Sequence, residues 1–342
     1  MSAVHGLQFN PQEVELLDAT LRDGSYAVDF QLDENFVIEL LGRLNETPIS
    51  MVEIGHGLGF EAERTGIKPS NIDLGRWCEI AQSELSATSW GMFAQPQFSR
   101  LSTLARLSDE GMSFIRIGME PERVPEYVNY IETATGTCGA VYLNLMKTSD
   151  TPAEELPGLL ADVTSEIAGL YVVDSYGSML PSDVYRYVTV ARESFPVVGF
   201  HGHDNLGLAN ANSLAAFEAG ARIADGTLDG IGRGAGNAET ESLAGIISSL
   251  GEDKFDYKAL AKHADFCRTN LKLLPEDRNM QVLGGVIGIH SGFFPLVEQL
   301  CDEFAVDPAS LMEAAVNQTA GNTNQDDIRA AARDLSRKIA AA

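Results

Sequence analysis

Four cysteines in 342 residues, none in a CxxC or other short ligand spacing, leave no cysteine metal motif and fit a chain kept with reduced thiols. Basic residues are few, 24 against 49 acidic ones, and lysine is scarcest among them. The resulting formal charge of -25 repels nucleic acid and anionic membrane surfaces, so neither is expected as a partner. Many acids with few lysines suit a salt-rich host and an ordinary acidic bacterial protein alike. No apolar run approaches the ~20 residues that span a bilayer. Met1-Ser-Ala-Val-His-Gly-Leu7 has neither the basic start nor the apolar run of a signal peptide, so the expected location is cytoplasmic. Low-complexity tracts, a nucleophile elbow, a Walker loop and a Ser/His/Asp order are all missing.

What is present is an ordinary globular composition, 44% apolar and 21% charged. Short runs rich in Val, Ile and aromatics recur at intervals of roughly 25 to 35 residues, with helical periodicity between them, which is the rhythm of repeated βα units. Eight such strands are expected at 14–18, 51–55, 89–94, 114–118, 141–146, 170–174, 197–201 and 223–231, and eight parallel strands close a barrel. The intervening helices have start signals at Asp33, at Ser70, and at Thr151-Pro152, where Thr suits the N-cap and Pro the first helical position. After about residue 250 only helical patterns remain, at 255–273, 295–304, 308–317 and 325–341, with a glycine-rich stretch at 283–292 and a turn at Gly321-Asn322-Thr323-Asn324. The expected fold is therefore an α/β (β/α)8 TIM barrel over residues 1–250 with a helical C-terminal domain over 251–342.

In such a barrel the site lies at the C-terminal ends of the strands, so polar residues placed there should converge. Arg22 and Asp23 follow the first strand, His56 the second, Asn144 and Lys147 end the fifth, Ser175 the sixth, and Asn237 follows the eighth; Arg116 lies within the fourth. The seventh ends in His201-Gly-His203, and the two-residue period of a strand sends both imidazoles to one side. With Asp23 they form a two-His, one-carboxylate set suited to Mn, Mg, Fe or Zn. Lys147 reads as a surface lysine. Gly230-Ile-Gly232-Arg-Gly234-Ala235 formally fits a dinucleotide fingerprint, but no following strand ends in an acidic residue; it reads instead as a loop capping the barrel, with Asn237 and Glu239 starting a helix.

Asp18-Ala-Thr20-Leu-Arg22-Asp23-Gly24, His201-Gly-His203-Asp204-Asn205-Leu-Gly207 and Gly232-Arg-Gly-Ala-Gly236-Asn237 together resemble the DRE-type TIM-barrel metallolyases, the HMGL-like superfamily. That superfamily includes 4-hydroxy-2-oxovalerate aldolases, 3-hydroxy-3-methylglutaryl-CoA lyases and 2-isopropylmalate synthases. Val52-Glu53-Ile-Gly-His56-Gly and the C-terminal region most resemble the aldolases, and the glycine-rich loop lacks the cysteine of the CoA lyases. The resemblance implies a metal-dependent lyase that makes or breaks a C–C bond of a 4-hydroxy-2-oxo acid through a pyruvate enolate. Its metal would be Mn2+ first, with Mg2+, Co2+ or Zn2+ as alternatives, held by Asp23, His201 and His203. Arg22 would be beside the enolate, and Asn237, Ser175, His56, Arg116 and Asn144 in or around the substrate site. It further implies a 2-oxo acid and an aldehyde as ligands, a homo-oligomer, and an aldehyde dehydrogenase partner contacting the C-terminal helices. One departure stands out: the aldolases carry a histidine base where this chain has Tyr26, and a tyrosine where it has His290. The expectation is an exchange, with His290 as base and Tyr26 as donor. The alternatives are an acyl-CoA-dependent Claisen-type enzyme on the same barrel and a non-catalytic metal-binding homologue.

Overall fold

The computed structural model describes residues 9–251, 254–319 and 323–341. Eight parallel strands close a barrel in sequence order: β1 (Glu15–Asp18), β2 (Met51–Glu53), β3 (Ser89–Ala94), β4 (Phe114–Met119), β5 (Ala140–Leu145), β6 (Gly169–Asp174), β7 (Val198–Gly202) and β8 (Ile223–Gly226), with β8 pairing back to β1. Around it run α1 (Glu34–Asn45), α2 (Leu74–Glu84), α3 (Leu101–Asp109), α4 (Val128–Thr135), a single turn α5 (Leu156–Leu159), α6 (Pro181–Ser194), α7 (Ala209–Glu218) and α8 (Thr240–Ser249). Alternation within each strand decides what fills the barrel. Outward residues such as Leu16, Val52, Ile115 and Phe200 meet the helices in one large apolar cluster. Inward ones make a smaller apolar floor of Leu17, Phe114, Tyr171 and Ile223. Glycines there give way to aromatics: a Cβ on Gly91 would lie 2.4 Å from the Phe114 ring, and one on Gly199 2.4 Å from Tyr171.

Several local expectations change. Strand 223–231 ends at Gly226, because the chain turns through a 3-10 segment at Leu228–Gly230 with Asp229 at φ 58° and only Thr227 returns to bridge Glu239. Asp33 caps α1 through Phe36 N at 3.0 Å as expected. In α2 the cap is Asp73 rather than Ser70, its carboxylate accepting from Arg76 N at 3.0 Å. Thr151 is not a cap: its hydroxyl is committed to Glu122, and the helical turns begin after Pro152.

The C-terminal helices are α9 (Tyr257–Asn270), α10 (Arg278–Ile287), α11 (Phe294–Phe304), α12 (Pro308–Gln318) and α13 (Gln325–Ala341). The glycine-rich 283–292 stretch is half helix: Gly284 and Gly285 sit inside α10 where a Cβ would meet Phe294 at 2.5 Å and Asn205 at 2.9 Å, so glycine there permits close packing onto the barrel. Leu260, Ala264 and Cys267 of α9 join the barrel's own cluster, with Phe266 stacked on Phe36 at 5.3 Å. A separate apolar core begins at Met280 and runs to Leu335. The packing thus divides after α9 rather than at residue 250. Gly321 and Asn322 of the expected turn, like the Met1–Leu7 segment, lie outside the described residues. Asn324 caps α13, its Oδ1 accepting from Asp326 N at 2.9 Å.

Candidate metal centre and cavity

At the C-terminal mouth of the barrel a cavity of about 200 Å³ is lined by Arg22, Asp23, Tyr26, Asn144, Ser175, His201, His203 and His290 among others. β7 delivers His201 and, one residue past its end, His203. The turn after β1 delivers Asp23. Their ligand atoms all lie within 4.8 Å of one another and all three side chains are buried. Each imidazole is oriented by an acceptor: His201 Nδ1 donates to Asp225 Oδ2 at 2.8 Å, and His203 Nδ1 to the Gly236 carbonyl at 3.2 Å. Both therefore turn Nε2 toward Asp23, as imidazole ligands to a cation do. Asp23 Oδ2 accepts from Asn237 Nδ2 at 2.6 Å and Arg233 N at 3.2 Å, and its Oδ1 from Arg22 Nη1 at 2.6 Å.

Burial alone would raise the Asp23 pKa, but Arg22 and the two histidines outweigh it and hold the carboxyl well below its usual range. His203 is pushed down to about 4, chiefly by burial, so it is neutral at physiological pH. A carboxylate and two imidazoles converging at this spacing fit a divalent cation bonded at a little over ~2 Å.

Below the cavity runs a chain of charges within the barrel. Arg22 Nε donates to Glu53 Oε2 at 2.5 Å, Glu53 also takes Arg116 Nε at 2.7 Å, Arg116 Nη1 bonds Asp225, and Asp225 holds His201. Arg116 is wholly buried, and its guanidinium lies over the Tyr171 ring at 4.8 Å. It therefore does not line the mouth: it ties the Arg22 side of the site to the histidine side. Glu53 is buried, which would raise its pKa, yet Arg116 and Arg22 bring it down to about 2.

His56 also turns away. Its ring stacks on Phe30 at 4.0 Å, its Nε2 is 3.0 Å from the Lys68 carbonyl, and it walls a neighbouring cavity with Trp77 and Met92. Asn237 supports Asp23 rather than opening a helix; α8 starts at Thr240. Lys147 is not a surface side chain. At φ 50° on the cavity wall, it donates from Nζ to Glu120 Oε1 at 3.2 Å and from its backbone N to Ser175 Oγ at 2.8 Å. Asn144 Oδ1 is buried without a partner among the described residues.

The glycine-rich loop closes over the centre. A Cβ on Gly232 would stand 2.1 Å from Asn237 Nδ2 and 2.7 Å from Asp23 Oδ2, so this glycine serves close approach to the carboxylate, not a nucleotide phosphate. Tyr26 occupies space that Gly57 leaves empty, where a Cβ would come within 2.6 Å of its ring. Burial raises the Tyr26 pKa. His290, at the start of the Ser291–Phe293 turn, shares the cavity, and burial followed by the charges of Arg233 and Lys147 holds it well below the ordinary imidazole range. At neutral pH Tyr26 is therefore protonated and His290 is not.

Glu53, Asp225, Glu120 and Arg233 are site residues that the sequence reading missed. For the first two a signal existed: each is a lone charge at an inward position of an apolar strand, which is tolerated only when paired.

Comparison with known proteins agrees with this geometry. The chain is 32% identical over 307 residues to a 4-hydroxy-2-oxovalerate aldolase of Spirochaeta aurantia, covering 87% of this chain and 89% of the relative. It is 35% identical over 255 residues to an oxaloacetate decarboxylase of Mycobacterium tuberculosis, covering 73% of each. The carboxyl transferase domain of Rhizobium etli pyruvate carboxylase shares the fold, with a TM-score of 0.75 at 14% identity over 99% of this chain and 66% of that one. The HMGL-like family matches residues 13–270. The chain belongs to the HMGL-like family.

Proposed function

We propose that this protein is a divalent-metal-dependent carbon–carbon lyase that cleaves or forms a 4-hydroxy-2-oxo acid at the bond next to the 2-oxo acid unit, yielding pyruvate and an aldehyde. The observation that carries the reading is the meeting of Asp23, His201 and His203 with Arg22 in one small cavity. A bound cation, Mn2+ in the first instance, supplies Lewis acidity toward the 2-oxo acid. Arg22, fixed by Glu53 and Asp23, places a permanent positive charge where enolate charge develops. Asn144 and Ser175 offer polar atoms along the wall for the rest of the substrate.

Cleavage requires removal of the 4-hydroxyl proton. We assign this to His290, neutral and without an acidic partner among the described residues, and assign hydrogen-bond donation to Tyr26. The His290 Nδ1 accepts from Gly292 N at 3.4 Å, so Nε2 becomes the proton acceptor only once the ring proton moves to Nδ1. At that length the Gly292 hydrogen bond is weak, and the tautomer change gives up little.

The similarity to an oxaloacetate decarboxylase favours a second reading. Decarboxylation of oxaloacetate, whose leaving carboxyl sits on C3 beside the 2-oxo carbon, releases CO2 and leaves the same enolate; it needs no hydroxyl base, which suits a tyrosine at position 26. The test is pyruvate release from a panel of 4-hydroxy-2-oxo acids and oxaloacetate with Mn2+, Mg2+, Co2+ or Zn2+. Release from the hydroxy acids supports the aldolase reading, and release from oxaloacetate alone supports the second. Failure of both, with no exchange of pyruvate methyl protons in D2O, overturns the catalytic proposal in favour of a non-catalytic metal-binding homologue. An aldehyde dehydrogenase partner seated on the C-terminal helices, and a homo-oligomer, belong to the same proposal; co-purification and light scattering test them. No helix of the described residues is long and apolar enough to cross a membrane.

A further inference from the structure

The cavity holds more positive charge than the metal centre explains. Arg22 is balanced by Glu53 and Asp23, and Lys147 by Glu120. The Arg233 guanidinium has no carboxylate within 4.0 Å among the described residues, although the chain carries twice as many acidic as basic residues. Glu276, Asp277 and Glu298 line an adjoining cavity that Arg233 also touches, and none of them forms an ion pair with it.

The position of this guanidinium is nonetheless built. It lies over the Tyr26 ring at 5.0 Å, its backbone N is fixed to Asp23, and Gly292 leaves it room: a Cβ there would stand 2.2 Å from Nη2. Lys147 stands on the same cavity wall, held in a left-handed backbone conformation that costs a non-glycine residue roughly 1 kcal/mol or more. The charges of both act on His290.

We propose that Arg233, assisted by Lys147, forms a second anion subsite beside the metal centre, and that the substrate is a doubly anionic 2-oxo acid with a carboxylate at its far end. A guanidinium meets a carboxylate through paired donors in a plane, so it selects an oxyanion over a neutral chain of equal length. The 2-oxo acid end is left to the metal centre and Arg22. The assignment of that end rests on the function proposed above.

The test uses two five-carbon ligands that differ only at the far end and carry no 4-hydroxyl to cleave: 2-oxoglutarate and 2-oxovalerate. Their binding to the Mn2+-loaded full chain is measured by calorimetry. Wild type is expected to bind 2-oxoglutarate about 10- to 100-fold more tightly, the range for one charged hydrogen-bonded contact. Arg233→Gln brings that ratio close to one, Arg233→Lys keeps part of it, and Lys147→Gln lowers it less because Glu120 already holds that ammonium. Equal affinities in wild type, or an equal loss for both ligands in Arg233→Gln, overturns the subsite. A binding ratio that holds while no 4-hydroxy-2-oxo acid is cleaved leaves the subsite standing and sinks the aldolase reading; cleavage with a ratio of one does the opposite.

Discussion

Asp225→Asn is the most informative single change, because it keeps the shape of the side chain and removes only its charge. Asp225 Oδ2 serves two partners, the His201 Nδ1 at 2.8 Å and Arg116, while Asp225 itself is 1% exposed. Arg116 would keep Glu53 but lose its second anion deep inside the barrel. Breaking a buried ion pair costs ~3–5 kcal/mol, and the retained Glu53 puts this case at about 3. For a chain of this size that corresponds to a Tm roughly 4 °C lower. His201 would face a neutral amide in place of the carboxylate that fixes its ring, and loss of such a partner typically weakens metal affinity ~10- to 100-fold. Mn2+ titration well below the lowered Tm, followed by calorimetry or electron paramagnetic resonance, reads the second effect apart from the first. A Kd within twofold of wild type would refute the claim that Asp225 positions the ligand.

Other outcomes follow from the same geometry. Asp23→Asn or His203→Ala should abolish Mn2+ binding measurable in wild type at micromolar concentration, and chelation of wild type should reproduce the activity loss. His290→Ala should lower aldol cleavage by ~10²–10⁴, the usual worth of a general base, while pyruvate methyl exchange in D2O persists; equal loss of both assigns His290 to structure instead. Gly57→Ala drives a Cβ into the Tyr26 ring and should lower turnover with less than about 1 kcal/mol change in urea stability, a combination that global misfolding would not give. Asp18 is buried, and burial raises its pKa from 3.8 to about 6 against the bonds from Thr240 and Thr20. The unfolded chain therefore releases this proton first, and wild type loses about 3 kcal/mol from this group as pH rises from about 4 to 6. Asp18→Asn is free of that loss, so denaturation curves should show the variant gaining on wild type across this window and holding the gain above it.

The barrel was legible because its strands announce themselves physically. Runs such as Phe114–Met119 and Gly169–Asp174 are buried on both faces and bounded by turns, and seven of the eight expected strands fall close to their observed bounds. The eighth failed because Gly226-Thr227 continues an apolar-looking run while the backbone turns to let Thr240 approach. The spacing of His201 and His203 follows from the strand period, and the structure places Asp23 beside them. Asn144, Ser175 and His290 also reach the cavity. Arg116 and His56 do not, because position after or within a strand sets the face of a side chain but not its depth. Arg116 points inward one layer too low, and His56 is drawn aside by Phe30. Lys147 and Arg233 depended on loop paths, at positive φ for the first and through Gly232 and Gly234 for the second, which carry no periodic signal.

The buried chain from Arg22 through Glu53, Arg116 and Asp225 to His201 draws on five different strands or their ends. Two guanidiniums there face three carboxylates once Asp23 is included, so this linked set of side chains carries one net negative charge beneath the place where a cation would be held. Transplanting the three metal ligands into an apolar barrel would not reproduce this centre. A working graft would have to carry Glu53, Arg116 and Asp225 as well, and no one of them could be moved alone without stranding another's charge.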